Sequence, residues 1–339
     1  MHKFGPQGIS RRTFSTSLAG AAVLAAPSLR AQTTNKIILG QSAAFTGAAA
    51  QLGIQFHAGA KLFFDQLNAQ GGVGGRSIEI KQLDDGYEPE RCAGNTSKLL
   101  ADDVFALFGY IGTPTSLAAL PLATKAQVPF FAPFTGAMAL RQPFNRLAFH
   151  LRASYNDETA LIVKQLTNLG LKKIAVFYQN DAYGKAGLDG VTLALASQNL
   201  KPVALATVER NSVDVATAVE KINAAAPDAV VQVSAYKSCA AYIRAARKSG
   251  FGGSFFNVSF VGTQALSDEL GKEGAGVVVR RWCPRPTTRP KQSPVSFWTP
   301  LARAAIKCRP TFPAWKVFWR PRCLPRVCAA QAVAPRVTA

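Results

Sequence analysis

The chain is poor in the residues that catalysis and metal binding draw on. Its histidines are His2, His57 and His150, and none has a partner at metal-ligand spacing. Neither G-x-S-x-G nor H-E-x-x-H occurs, so no nucleophile elbow or zincin helix is encoded. Cysteine is equally thin in the body, where Cys92 and Cys239 stand alone. Cys283, Cys308, Cys323 and Cys328 crowd the end of the chain without forming the two C-x₂₋₄-C knuckles of a zinc site. No apolar run reaches the roughly twenty residues of a bilayer span. These absences point away from an enzyme, and no catalytic residue, metal ligand or cofactor is assigned.

Acidic residues are scarce too, 19 against 39 basic ones, for a formal charge of +20. The imbalance is confined to the ends. Residues 1–31 carry four basic and no acidic groups, 32–279 carry 22 against 19, and 280–339 carry 13 against none. A nucleic-acid footprint needs Lys and Arg clustered on a folded face, so no nucleic-acid partner is expected. At 339 residues and 48% hydrophobic content the chain can bury a large core and has length for two domains.

At the start, Ser10-Arg11-Arg12-Thr13-Phe14 precedes a small-residue apolar run, Ser17 to Ala26, then Pro27 and Ala31. This is the pattern of a twin-arginine export signal over residues 1–31, and it predicts a periplasmic protein. An uncleaved anchor or an amphipathic helix is the competing reading.

From Lys36 short β-rich runs alternate with helical ones. Strands are predicted at Lys36–Gly40, Ser77–Leu83, Val104–Tyr110 and Pro129–Ala132, with helices near Gly53–Gln70, Glu90–Ala101 and Thr115–Gln127. The glycine-rich turn at 71–75 leads into a strand and lacks a following Lys-Ser/Thr, so it is no P-loop. After Phe149–Arg152 the alternation restarts. Helices at Asp157–Leu169, Gly184–Gln198, Val215–Ala225 and Ser238–Ser249 interleave with strands at Lys173–Tyr178, Val203–Thr207, Ala229–Val233 and Phe255–Val258. Such order predicts an α/β protein with two parallel-sheet lobes, 32–150 and 151–279.

Ligands of open α/β sheets bind at the carboxyl ends of strands, so the strand-end loops are the candidate site. In the first lobe these are Thr113-Pro114-Thr115-Ser116 and Phe134-Thr135-Gly136. The former could offer hydroxyls and free N–H groups to a carboxylate, or simply cap its helix. In the second lobe Tyr155, Tyr183, Tyr236 and Gln264 follow successive strands. Asp84-Asp85-Gly86 reads as an acid–base pair or as a turn, and its turn chemistry favours the latter.

Taken together, Gly40-Gln41-Ser42, Gly71-Gly72-Val73-Gly74-Gly75-Arg76, Leu83-Asp84-Asp85-Gly86-Tyr87, Phe108 to Thr115, Asp181-Ala182-Tyr183-Gly184 and Ser259-Phe260-Val261-Gly262 resemble the branched-chain-amino-acid-binding family of ABC-transporter receptors. The resemblance covers residues 36–279. It implies two doubly wound parallel-sheet lobes joined by a hinge, a small carboxylate-bearing ligand, and a membrane permease of an ABC transporter as partner. It also implies that Thr113 to Ser116 and Phe134 to Gly136 hold the ligand's α-carboxylate and α-amino groups while Tyr183, Tyr236 and Gln264 close over it. Where amino-acid-binding members place a Glu for the ammonium, this chain has Gln264, which opens the site to an acid lacking the ammonium or to an amide. A sensor for a signalling partner, or a hydrolase on the same layers, are the other readings.

All four tryptophans and ten of the twenty prolines lie beyond residue 279. Joining the last base of each codon to the first two of the next tests a reading-frame shift. Trp282-Cys283 then forces valine, Cys283-Pro284 gives Pro or Ser, and Pro286-Thr287 gives Tyr, His, Asn or Asp. Trp315-Lys316 forces glutamate, Lys316-Val317 gives Gly or Ser, Phe318-Trp319 forces leucine, and Trp319-Arg320 gives Ala or Glu. Strings similar to the family's, Gln-Val-Val-Pro-Ser-Pro-Tyr and Ser-Leu-Glu-Gly-Phe-Leu-Ala, are permitted. Residues 280–339 are therefore expected to be a frame-shifted tail that leaves the first lobe incomplete. A genuine basic, cysteine-rich tail is the rival.

Overall fold

The computed structural model describes residues 36–280, and these hold two five-stranded sheets, each flanked by helices. The signal reading and the tail reading lie outside the described residues. In the first sheet the strands are β1 (Lys36–Ala43), β2 (Ser77–Asp84), β3 (Ala106–Phe108), β4 (Phe130–Phe131) and β5 (Ala148–Phe149), in the order β2-β1-β3-β4-β5. Helices α1 (Ala50–Ala69), α2 (Pro89–Ala101) and α3 (Thr113–Lys125) connect the first four strands. The second sheet has the order β10-β9-β8-β6-β7, from β6 (Ile174–Gln179), β7 (Ala204–Val208), β8 (Ala229–Val233), β9 (Ser254–Asn257) and β10 (Val277–Val279). Its helices are α4 (Tyr155–Asn168), α5 (Ala182–Ala196), α6 (Ala216–Ala224), α7 (Tyr236–Lys248) and α8 (Thr263–Leu270). Every pairing from β1–β3 to β4–β5 and throughout the second sheet is parallel. This is the predicted α/β class, and among the described residues no helix is long and apolar enough to cross a membrane.

Local chemistry explains the elements. Ala229-Val230-Val231-Gln232-Val233 is buried at every position, as a strand covered on both faces must be. α7 buries Tyr236, Cys239, Ala240, Ile243 and Ala246, one stripe at helical spacing, and ends with Arg247 and Lys248 beside its carbonyl pole. α4 opens on a reciprocal cap: Asp157 N–H donates to Ser154 Oγ at 3.1 Å and Ser154 N–H to Asp157 Oδ2 at 3.2 Å. In the glycine turn, Gly72 sits at φ 71°, and a Cβ there would lie 2.1 Å from the Arg76 carbonyl oxygen.

Several boundaries differ from the sequence expectation, and three of them have a clear local cause. α3 begins at Thr113, because Pro114 in the first turn lacks only an N–H that the helix would leave unpaired anyway. α7 begins at Tyr236, since Ser238 Oγ does not cap it but donates to the Ser212 carbonyl at 2.6 Å. The run Val104–Tyr110 is strand only over Ala106–Phe108, cut short where Gly109 turns to φ 63°.

The two sheets are not equally dressed. Leu107, Tyr110 and Phe130 on one face of the first sheet pack beneath α2 and α3. Among the described residues, Leu39, Ala106 and Phe108 on the other face meet α1, through Phe56, Ala60 and Phe64. The second sheet is flanked by helix pairs that pack together, α4 with α5 and α6 with α7.

Candidate functional site

The first-lobe half of the site is built where β3 passes into α3. Gly112 is the N-cap residue at φ 98°, and a Cβ there would stand 2.2 Å from the Tyr87 ring. Only glycine lets the chain turn into the helix beneath that ring. No side chain caps α3, so its leading N–H groups receive no capping hydrogen bond from the N-cap residue. Thr113, Thr115 and Ser116 are all buried, but their hydroxyls have different fates. Thr115 Oγ1 donates back to the Ile111 carbonyl, and Thr113 Oγ1 lies 2.7 Å from Thr135 Oγ1. Thr135 Oγ1 in turn donates to the Tyr155 hydroxyl at 3.3 Å and accepts from Ala137 N–H at 3.2 Å. Ser116 Oγ is buried with no hydrogen-bond partner. Of the four predicted residues in this turn, then, Thr113 belongs to a hydroxyl chain reaching Tyr155. Thr115 has spent its hydroxyl on its own helix, Pro114 offers no donor, and Ser116 keeps a free one.

The second-lobe half is aromatic. Tyr155 and Tyr183 lie with ring centroids 5.5 Å apart, and Tyr183 meets Phe260 at 4.4 Å. Phe260 also reaches Phe134 at 5.6 Å and Tyr87 at 6.2 Å, so five rings from both lobes share one buried cluster. Asp181 caps α5 by accepting from the N–H groups of Tyr183 at 2.9 Å and Gly184 at 3.2 Å. The Tyr183 hydroxyl donates to the Ser234 carbonyl at 3.4 Å, while Ser234 Oγ is buried and without a partner. Burial pushes the Tyr87 and Tyr183 phenols well above their ordinary range and lifts Tyr155 to about 12, so all three stay protonated donors.

Beside the rings lies a charged clasp. Arg152 stacks on Phe134, its guanidinium carbon 3.9 Å from the ring centroid, and donates to Ser259 Oγ. Buried Glu158 accepts from Ser259 N–H at 2.8 Å and Ser259 Oγ at 2.6 Å. A second bridge crosses the seam near its rim. Arg210 Nη2 donates to Glu88 Oε2 at 2.9 Å and its Nη1 lies 3.7 Å from Asp181 Oδ2, while Asn211 Nδ2 donates to Glu88 Oε1 at 2.7 Å and the Gly86 carbonyl at 3.2 Å.

The structure thus brings together Thr113, Thr115, Ser116, Phe134, Thr135, Gly136, Tyr155 and Tyr183 of the predicted set. Gly136 is fixed here by its carbonyl, which accepts from Tyr155 N–H at 2.8 Å. Tyr236 is buried in the same apolar cluster, its hydroxyl against the Gln51 backbone of the first lobe, and Gln264 is exposed, its amide donating to Asp268 at 2.6 Å on its own helix. Tyr87, Gln179 and Phe260 were not predicted as site residues. Each follows or ends a strand, as the predicted residues do, so the rule that found Tyr183 would also have found them. The acidic pair serves its turn. Asp84 accepts from Phe45 N–H at 2.8 Å and Thr46 Oγ1 at 2.7 Å, and Asp85 from Ser42 Oγ at 2.8 Å and Tyr87 N–H at 2.9 Å. His57 faces Gln41 at 2.8 Å and His150 the Leu140 carbonyl at 3.0 Å, away from the rings.

A family model described as periplasmic binding protein matches residues 36–292. The crystal structure of a possible leucine/isoleucine/valine-binding protein from Rhodopirellula baltica SH 1 is 37% identical with a TM-score of 0.67, covering 72% of this chain and 68% of that one. An amino acid binding protein of Pseudomonas aeruginosa is 23% identical over 265 residues, 78% of this chain and 71% of that protein. Leu/Ile/Val-binding protein homolog 7 of Brucella suis is 27% identical over 247 residues, 69% of this chain, and the chain spans 60% of that relative's length.

Proposed function

The chain belongs to the periplasmic binding protein family, of the Leu/Ile/Val-binding type, and from that premise we propose that it is the exported, non-enzymatic receptor of an ABC importer for a small carboxylate-bearing ligand. The observation that carries the ligand class is the set of buried hydroxyls without partners at strand-end loops of both sheets, Ser116 Oγ and Ser234 Oγ. An orphaned buried hydroxyl costs about 1–3 kcal/mol, a cost recovered when a ligand oxygen accepts from it. Ser116 sits in the uncapped first turn of α3, where N–H groups and the helix dipole favour an anion by up to about 2 kcal/mol.

Closure about the link between β5 and α4 lays Tyr155, Tyr183 and Phe260 over the ligand, and the closed form docks on the permease. The acids at the seam are engaged, Glu158 by Ser259 and Asp181 by the α5 backbone. Gln264 brings no charge, so an acid without an ammonium, aromatic acids included, or an amide suits the site as well as an amino acid does.

Thermal-shift and calorimetric screening of the full chain against amino acids, aromatic acids and amides tests the proposal. Saturable binding that Ser116→Ala weakens about tenfold supports it, on the scale of one lost hydrogen bond to a charged group. Turnover of any bound compound, or no binding across all three classes, defeats it.

A further inference from the structure

Gln179 ends β6 fully buried, and its Oε1 has no hydrogen-bond partner. The orientation of this amide is set by its neighbours. Nε2 donates to Asp181 Oδ2 at 2.5 Å, and a carboxylate only accepts, so the amide nitrogen and oxygen cannot trade places. Asp181 is itself held, because its Oδ1 caps α5 by accepting from Tyr183 N–H and Gly184 N–H. The helix cap fixes the carboxylate, the carboxylate fixes the amide, and a buried carbonyl oxygen is left unused.

That oxygen lies beside the proposed seat of the ligand's carboxylate. Gln179 Nε2 also donates across the seam to the Tyr87 hydroxyl at 3.4 Å, and a Cβ on Gly112, the N-cap residue of α3, would stand 3.1 Å from that hydroxyl. A ligand anchored by its carboxylate at the first turn of α3 therefore brings the substituent on its α-carbon to Gln179 Oε1 and Tyr87. The substituent has to donate to the amide oxygen. It can also accept, because the Tyr87 hydroxyl receives its bond from Gln179 and keeps its own hydrogen to give. A hydroxyl does both, whereas an ammonium only donates. The ammonium also lacks a free counter-charge: among the described residues, the acids at the seam hold donors on both oxygens, Asp85 from Ser42 and Tyr87, Glu88 from Arg210 and Asn211, Glu158 from Ser259, and Asp181 as above. A neutral carbonyl does not offset a buried positive charge, and burying one uncompensated is costly.

We infer that Gln179, together with Tyr87, determines specificity by selecting an α-hydroxy acid over the amino acid of the same skeleton and over the plain acid with hydrogen in that place. The inference rests on the receptor reading proposed above. Its test is calorimetry of the full chain with leucine, the α-hydroxy acid of the same skeleton and the plain acid, and with the same trio built on phenylalanine. In the trio whose skeleton fits better, the hydroxy acid binds about tenfold or more tighter than both companions, because an unmet buried acceptor penalises the analogue that lacks the donor. Gln179→Met removes the acceptor at similar side-chain length, and the preference for hydroxy over plain acid then falls to within about twofold. Circular dichroism verifies that the variant is folded, and the order of affinities in the unsubstituted chain decides the matter if it is not. An amino acid that binds as tightly as its hydroxy acid, a plain acid that does so, or a hydroxyl preference that survives Gln179→Met overturns the assignment and leaves the receptor reading standing. Binding by neither trio also overturns it, and takes the receptor reading with it only when the wider screen of acids and amides is silent too.

Discussion

The substitution Asp85→Asn isolates one contribution to the stability of the first lobe. Burial disfavours the charged carboxylate and pushes its pKa up to about 6 from 3.8, against the pull of hydrogen bonds from Ser42 and Tyr87. Below the unfolded value both states hold the proton and nothing is lost. Between the two values the unfolded chain ionises while the folded one does not, so stability falls as pH rises through the window, and above it the loss is constant. A difference of about two units corresponds to about 3 kcal/mol at neutral pH. The amide of the variant keeps an oxygen for the Tyr87 N–H and carries no charge. Neighbouring Asp84 does not confuse the window. Burial works upward on it, but hydrogen bonds from Thr46, Phe45 and Gly86 outweigh that and bring it to about 2, so its stability is lost only at lower pH. Urea unfolding followed by circular dichroism from pH 4 to 7.5 is the assay. The expected outcome is an advantage of the Asp85→Asn variant over the unsubstituted chain that grows by about 2–3 kcal/mol across that range, and parallel pH profiles would refute the burial argument.

Gly112→Ala drives a methyl into the Tyr87 ring at a left-handed φ, and a loss of about 2–4 kcal/mol is expected in the same unfolding assay. Gly71→Ala has a similar φ but open space, and should lose only about 1 kcal/mol. Arg210→Ala removes the bridge to Glu88 across the seam; with both side chains partly exposed, it should weaken ligand binding about two- to fivefold at low salt and leave little salt dependence by calorimetry. Glu158→Gln leaves Ser259 with a neutral acceptor and releases Arg152 from its clasp, which should cost about 1.5–3 kcal/mol in unfolding free energy.

Much of this was legible in the sequence because it rests on local rules. The alternation of apolar runs with helical stripes pointed to the two parallel sheets, and the strand-end loops to the cluster from Thr113 to Tyr183. What a loop's side chains do once folded is not local. Nothing in Thr113-Pro114-Thr115-Ser116 says that Thr115 turns back to Ile111 while Ser116 stays unpartnered; that depends on helix phase and on Thr135, which lies 22 positions beyond Thr113. Gln264 shows the same limit. Its place after a strand suggested the cleft, but the helix starting at Thr263 sets it one turn from Asp268, and the i to i+4 contact takes the amide.

Phe260 joins the two lobes without any polar contact of its side chain. It lies in a short turn after β9 with no polar group to advertise it, and yet it touches rings from both lobes. A purely apolar contact between lobes has no preferred partner in sequence, whereas Ser259 beside it is bound to Glu158 and Arg152 by charge-assisted hydrogen bonds. The turn therefore has a fixed backbone and a greasy tip. Glu158 and Arg152 set where residue 260 stands, and in the proposed closure the ring supplies the area to be buried. Trimming the tip by Phe260→Leu should weaken closure without disturbing the clasp, so ligand affinity falls severalfold while the unfolding free energy changes by about 1 kcal/mol. An equal loss in both measurements would mean that Phe260 is ordinary core and that the lobes do not part there.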